Sequence, residues 1–181
     1  LNCLQRMSGI ATYVNSLQQL ISHTKAKVLD TRKTTPNFRV CEKWAVKIGG
    51  GTNHRYGLFD MIILKDNHVD YAGGVKQAVN NCKNYLSKNN LNLPIEVETR
   101  DLKEVEQALE ANIDRIMLDN MSNNMMAEAV KIINNKVEVE ASGGITEKTI
   151  VGVAETGVDF ISIGALTHSY TSLDMSLKAS E

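Results

Sequence analysis

Cysteine is scarce in this chain and forms no metal or disulfide pattern. Cys3, Cys41 and Cys82 stand far apart with no C-x-x-C pair, which argues against a disulfide frame or a structural zinc site and for free thiols in a reducing compartment. A cytoplasmic location is expected. Excess charge is missing too. A formal net charge of -1 gives no bulk attraction to nucleic acid or to a membrane surface. No apolar run approaches the roughly 20 residues of a spanning helix. The chain lacks a G-x-S-x-G elbow, a phosphate loop of the G-x-x-x-x-G-K-[ST] type and an H-E-x-x-H pair, and nothing suggests a covalent nucleophile. Low-complexity segments, long linkers and composition breaks are also absent. The 181 residues, 43% apolar and 23% charged, suffice for one sizeable core, expected to be a single domain over 1–181. The chain opens at Leu1, already inside a helical pattern, so further N-terminal sequence is expected to be missing.

What is present is an alternation of short apolar strands and amphipathic helices. Leu4 to Ser22 has helical spacing, with Leu4, Ala11, Val14, Leu17, Leu20 and Ile21 as its apolar side. Gly9 within it marks a close packing contact. A strand, Ala26 to Leu29, runs into Asp30-Thr31-Arg32-Lys33-Thr34-Thr35-Pro36, and Pro36 suits the start of a helix to Ile48 with Val40 and Trp44 inward. Three glycines, Gly49 to Gly51, precede His54-Arg55. Phe59 to Leu64 is a strand ending in Lys65-Asp66-Asn67-His68, and Gly73 to Ser87 a helix burying Val75, Ala78, Val79 and Tyr85. Strands are expected at Ile95–Thr99, Arg115–Leu118, Val137–Glu140 and Phe160–Ile163, with helices at 102–111 and, capped by Ser122, to Ile133. A further helix, capped by Thr146, should reach about Glu155, and the C-terminal tail is expected to form a short helix. Six strands alternating with helices imply parallel β/α units. Their continuous apolar runs imply a sheet covered on both faces.

In a β/α barrel the chemistry sits at the C-terminal ends of the strands, where this chain repeatedly places polar residues. Arg32 and Lys33 form an anion receptor: a flat two-donor fork beside a point charge. His54, Arg55 and Lys65 extend the cationic half. Glu98 and Asp119, on successive strand ends, suit ribose hydroxyls, a bridging Mg²⁺ or a cationic sugar centre, although an ion pair with a neighbouring lysine would also explain them. Ser142-Gly143-Gly144 before a capped helix, and Ile163-Gly164-Ala165, offer backbone N–H groups for a phosphate; a tight turn alone would need the same glycines. His68 and His168 are candidates by position, and His23 has no supporting context. Glu96 and Glu140 stand before strand ends and are set aside as groups facing helices or a neighbouring ion pair.

Taken together these blocks resemble quinolinate phosphoribosyltransferase, also called nicotinate-nucleotide pyrophosphorylase (carboxylating). They are Ser8-Gly9-Ile10-Ala11-Thr12, Asp30 to Thr34, Gly49 to Arg55, Leu64 to His68, Glu96-Val97-Glu98, Met117 to Asn120, Ser142 to Ile145 and Gly164 to His168. The resemblance implies an incomplete, open, TIM-like parallel α/β barrel of six to seven strands, of type II phosphoribosyltransferase fold. It implies joining of quinolinate to phosphoribosyl pyrophosphate with Mg²⁺, in a homodimer or higher oligomer. By that likeness Lys33, Lys65, Glu98 and Asp119 are catalytic, and Glu98 and Asp119 address the metal. Thr31, Arg32, Lys33, His54, Arg55 and Lys65 hold the carboxylates and pyrophosphate. Ser142, Gly143, Gly144, Ile163, Gly164, Ala165 and His168 hold the phosphate end. Family members also carry an N-terminal α/β sandwich domain and an arginine that completes the neighbouring subunit's site, and both are expected to belong to sequence outside residues 1–181. A nicotinate-using enzyme, a molybdenum-transport-associated homologue and a non-catalytic phosphate-binding barrel share parts of the pattern. The two basic pairs favour a dicarboxylate.

Overall fold

A computed structural model describes residues 1–179. Its strands are β1 (Lys27–Leu29), β2 (Ile62–Leu64), β3 (Ile95–Thr99), β4 (Arg115–Asp119), β5 (Glu138–Ser142) and β6 (Phe160–Ser162). The helices are α1 (Asn2–Leu20), α2 (Arg39–Ile48), α3 (Asp66–Ala72), α4 (Val75–Lys88), α5 (Leu102–Glu110), α6 (Asn123–Ile133), α7 (Ile150–Ala154) and α8 (Ala165–His168). The strands form one parallel sheet in the order β1-β6-β5-β4-β3-β2. The sheet is not closed: β1 and β2 are its edges, and Thr52 bridges to Leu29 at the β1 edge. This is the expected open α/β barrel, with six strands.

Local chemistry accounts for the element boundaries. Asp101 caps α5 by accepting the Glu104 N–H at 2.8 Å, and Ser122 caps α6 by accepting that of Met125 at 3.3 Å, satisfying N–H groups the helix leaves unpaired. Ile10, Val14 and Leu17 bring the buried side of α1 onto the sheet. A Cβ at Gly9 would strike the Thr171 carbonyl at 2.0 Å, so the tail beyond α8 lies hard against α1.

Several expectations change. Pro36 lies in a turn and α2 begins at Arg39, because Asn37 takes a left-handed backbone (φ 60°). Val40 (64% exposed) and Trp44 (61%) face outward, and the inward face of α2 is Glu42, Lys43, Ala45 and Val46. Tyr85 is exposed, as are Leu4 and Leu20. Phe59 is exposed and β2 starts at Ile62. Residues 66–72 form the unforeseen helix α3. Helix α7 begins at Ile150 because residues 146–149 close a turn of their own, with Thr146 N–H bonded to Thr149 Oγ1 at 2.9 Å. Residues 169–179 have no regular structure in place of the expected helix, and Leu173 N–H bonds back to the Gln5 carbonyl at 3.1 Å.

Candidate active site

Parallel strands carry all their C-terminal ends to one rim, and the pleat sends alternate residues inward. Cross-strand register aligns Glu96 with Arg115, Glu98 with Met117, Met117 with Glu140 and Asp119 with Ser142. At this rim lies a cavity of about 220 Å³ lined by Thr31, Arg32, Lys33, His54, Arg55, Ile63, Lys65, Met117, Glu140, Ser142 and Ser162. Every cation of the expected receptor is there. A larger hollow of about 540 Å³ at the opposite ends of the strands mixes Lys25, Lys27 and Lys136 with Asp114, Glu138 and Asp159. It is more open and gathers none of the strand-end groups, so the chemistry belongs to the smaller cavity.

The basic residues are held by specific bonds. Thr167 Oγ1 donates to the Lys33 carbonyl at 2.7 Å. Arg55 Nη1 donates to the Met61 carbonyl at 3.0 Å. Buried Nε atoms of Arg32 and Arg55 have no partner among the described residues. Burial first, and then the neighbouring Arg32, lowers the pKa of Arg55; an anion between the two arginines would relieve both effects. Lys65 Nζ meets Glu98 Oε2 at 3.1 Å. The lysine pairing anticipated for the two acids therefore exists for Glu98, which it places beside the cavity, and among the described residues Asp119 has none.

The floor of the cavity decides between the two alternatives left for the inner glutamates: they face an ion-pair cluster, not the helices. Glu96 and Glu140, set aside on sequence, are fully buried inside the barrel, with carboxylate oxygens 3.0 and 3.1 Å from His54 Nε2. Arg115 closes the cluster from beneath, 3.4 Å from Glu140 and 2.7 Å from Glu138, with its guanidinium over the Phe160 ring. Inward i, i+2 alternation along Glu96-Val97-Glu98 and Glu138-Val139-Glu140 was the sequence signal for this. Burial lowers the His54 pKa, but Glu140 and Glu96 outweigh it, for a rise to about 9 that would doubly protonate the ring. The Arg55 N–H, however, donates to His54 Nδ1 at 2.6 Å. An occupied Nδ1 leaves the ring one proton, on Nε2, and keeps the second proton with the carboxylates. Burial, and then Glu140, raise Glu96 to about 7.

Asp119 is half-buried at the end of β4 and accepts the Asn120 amide at 2.7 Å. Next to it, Gly143 (φ 102°) and Gly144 (φ 57°) adopt backbones that disfavour side chains. A Cβ on Gly143 would lie 2.2 Å from Asn120 Oδ1. The N–H groups of Gly143 and Gly144 bond to no other group among the described residues. The phosphate seat expected here would be a glycine nest rather than a helix N-terminus, since α7 starts later than expected. Ile163, Gly164, Ala165 and His168 stand on the same rim: a Cβ on Gly164 would lie 3.0 Å from His168 Nε2 and 3.2 Å from Lys33 Cδ. Lys33 and His168 share a second hollow of about 400 Å³ with Arg6, Thr34, Thr35, Thr167 and Tyr170. His68 accepts the Lys65 N–H at 2.9 Å and caps α3. Among the described residues, the three groups whose ligand atoms lie within 4.8 Å of one another are His54, Glu96 and Glu140. Arg115 already supplies their countercharge. Glu98 and Asp119 face the rim as two hard oxygen donors, better suited to a hydrated magnesium ion.

The described residues contain no helix long and apolar enough to cross a membrane. A family model described as "Quinolinate phosphoribosyl transferase, C-terminal domain" matches residues 10–178. The chain is 50% identical to "Quinolinate phosphoribosyltransferase (decarboxylating) 1b" of Nicotiana tabacum, covering 98% of this chain and 55% of that protein. It is 48% identical to "Nicotinate-nucleotide pyrophosphorylase (carboxylating), chloroplastic" of Arabidopsis thaliana over the same shares. Among solved structures, NadC from Streptococcus pyogenes superposes with a TM-score of 0.93 at 42% identity, covering 99% of this chain and 62% of that one. The nicotinate-nucleotide pyrophosphorylase from Francisella tularensis gives 0.92 at 48% identity, covering 97% and 61%. The chain spans about half the length of the curated relatives it matches. A cationic strand-end cavity, two rim acids and a glycine nest on an open parallel barrel thus coincide with a match running almost end to end, and the chain belongs to the quinolinate phosphoribosyl transferase family, whose C-terminal domain it carries.

Proposed function

We propose that this barrel carries out carboxylating phosphoribosyl transfer, joining quinolinate to 5-phosphoribosyl 1-pyrophosphate to give nicotinate mononucleotide, pyrophosphate and CO₂, a step of NAD synthesis. The observation that carries this reading is the convergence of Arg32, Lys33, His54, Arg55 and Lys65 on one cavity of about 220 Å³. Four permanently charged side chains in so small a volume, of which among the described residues Lys65 alone faces a carboxylate, that of Glu98, call for a compact polyanion, and two adjacent carboxylates on a pyridine ring meet that need. Arg32 and Arg55 form forks for the carboxylates, while Lys33 and Lys65 face the pyrophosphate. Ser142, Gly143, Gly144 and the Gly164 segment seat the 5-phosphate.

Positioning and electrostatics then supply the chemistry. The pyridine nitrogen lone pair forms a bond to the anomeric carbon as the bond to pyrophosphate breaks. Glu98 and Asp119 face the positive charge that develops on the sugar. Once the ring nitrogen is cationic, the 2-carboxylate leaves as CO₂, and its bonding electrons remain on the ring carbon until a proton from water replaces it. Mg²⁺, held through Glu98, Asp119 and their water, would neutralise the departing pyrophosphate. The exposed stripe Val40, Trp44 and Ile48 on α2 suits a homodimer or higher assembly. The free thiols suit a reducing interior, either cytoplasm or an organelle matrix of the kind named for plant relatives.

The test mixes quinolinate, phosphoribosyl pyrophosphate and Mg²⁺ with this chain and with a form extended to the relatives' length. Nicotinate mononucleotide and CO₂ in equal amounts are the expected products. An extended, folded protein that forms neither would overturn the reading, and product from nicotinate without CO₂ would reassign the substrate.

A further inference from the structure

We propose that helix α2 is a positioning element, with Arg39, Glu42 and Lys43 locking the two basic pairs, Arg32-Lys33 and His54-Arg55, into one frame of fixed spacing. Within the proposed function, on which it rests for the ligand's identity, this frame selects a ligand with two adjacent anionic groups.

The bonds run almost wholly to the two segments that carry the pairs. Glu42 is fully buried, and its Oε2 accepts the Thr35 N–H at 2.9 Å. Its Oε1 accepts Arg6 Nε at 3.1 Å, and Arg6 also bonds Thr35 Oγ1 while lying between the Phe38 and Tyr170 rings. That anchors the far arm of the Arg32-Lys33 turn. Lys43, 3% exposed, donates to Asp30 Oδ1 at 2.6 Å and to the His54 carbonyl at 3.1 Å. Asp30, immediately before the turn, accepts the His54 N–H at 2.8 Å and the Asn53 amide at 2.6 Å. One buried pair therefore joins the end of β1 to the second basic segment. Arg39, one helical turn before Lys43, spans the same gap nearer the surface. It donates to Thr34 Oγ1 at 2.9 Å, the Arg32 carbonyl at 3.2 Å and the Tyr56 carbonyl at 3.1 Å.

The orientation of α2 fits this role. An ordinary amphipathic helix would turn Val40 and Trp44 inward. Here those two are outside and two charged residues are inside. A buried ion pair often contributes little net stability, so stability alone does not account for the arrangement. Every loop group reached by the three side chains belongs to 30–35 or 53–56. Separation of the two pairs is the quantity they fix, and a ligand gripped from both sides responds to it where a ligand held by one pair does not.

Two variants test this. Arg39→Met removes three bonds from a half-buried residue. Asp30→Asn with Lys43→Met removes both charges of the buried pair and leaves no lone charge behind. Thermal unfolding checks that each folds; should the double variant not fold, Arg39→Met decides. Amide hydrogen exchange at His54 and Arg55, and affinities for pyridine-2,3-dicarboxylate, pyridine-3-carboxylate and inorganic pyrophosphate, are then compared. Faster exchange is expected in the folded variants, with dicarboxylate affinity lower by on the order of a hundredfold and monocarboxylate affinity little changed. In an Arg55→Ala background the same changes should add almost nothing, because the route to the ligand is already cut. Unchanged exchange, unchanged dicarboxylate affinity in a folded variant, or full additivity with Arg55→Ala would each overturn the role of α2. If the unmodified chain binds pyrophosphate but no pyridine dicarboxylate, the proposed function fails instead, and exchange with pyrophosphate affinity still decides the frame.

Discussion

Replacing Arg115 with Met should be among the most damaging single changes outside the ligand-binding residues. Arg115 is 9% exposed and balances Glu140, which is fully buried, with Glu96 close by in the same cluster. Met fills much of the arginine volume, so lost packing is a minor part of the effect. The main cost is a buried carboxylate without its cation, about 3–5 kcal/mol. With a urea slope of about 2 kcal/mol/M, the unfolding midpoint should fall by roughly 1.5–2.5 M. The exposed partner Glu138 contributes little, because solvent screens it. Equilibrium urea unfolding followed by circular dichroism measures the loss. The second variant is Glu140→Gln on the Arg115→Met background: removing the orphaned charge should restore more than half of the lost midpoint. A midpoint within about 0.5 M of the parent for Arg115→Met, or no recovery in the double variant, would show that the floor of the cavity is not an electrostatic cluster.

Other outcomes follow from the same geometry. Gly143→Ala should cost about 1–3 kcal/mol and weaken binding of ribose 5-phosphate, since its Cβ strikes Asn120 and its φ of 102° disfavours a side chain; calorimetry on the folded variant reads this, and unchanged binding would move the phosphate elsewhere. Lys33→Ala, at an exposed residue, should leave the melting curve unchanged and abolish turnover; near-parental kcat would remove Lys33 from the machinery. Glu96, raised to about 7, holds a proton in the folded state that the unfolded chain releases near the ordinary value of 4.5. Its stabilisation is therefore complete below about pH 4.5 and lost as pH rises through 7. Glu96→Gln should flatten that part of the stability curve, and equal slopes for both proteins between pH 5 and 8 would refute the shift.

The apolar strands and the helices between them were legible in sequence because each is set by local periodicity. Parallel connectivity then delivered one rim for all the strand ends, so Arg32, Lys33, Lys65, Glu98, Asp119 and Gly143 could be assigned to it before any coordinates were known. The boundaries that failed were decided by single residues: Asn37 in a left-handed conformation delays α2, and a turn at 146–149 delays α7.

Sequence by itself determined the fold class, the cationic and acidic rim and the glycine seat, since each depends on residue types at fixed offsets along one strand or turn. Only tertiary structure decided which way α2 faces and which groups Glu96 and Glu140 meet inside the barrel. A charged residue becomes an inward one when partners from distant segments, here Thr35, Asp30, His54 and Arg115, offset its desolvation, and no local pattern along the chain contains those partners.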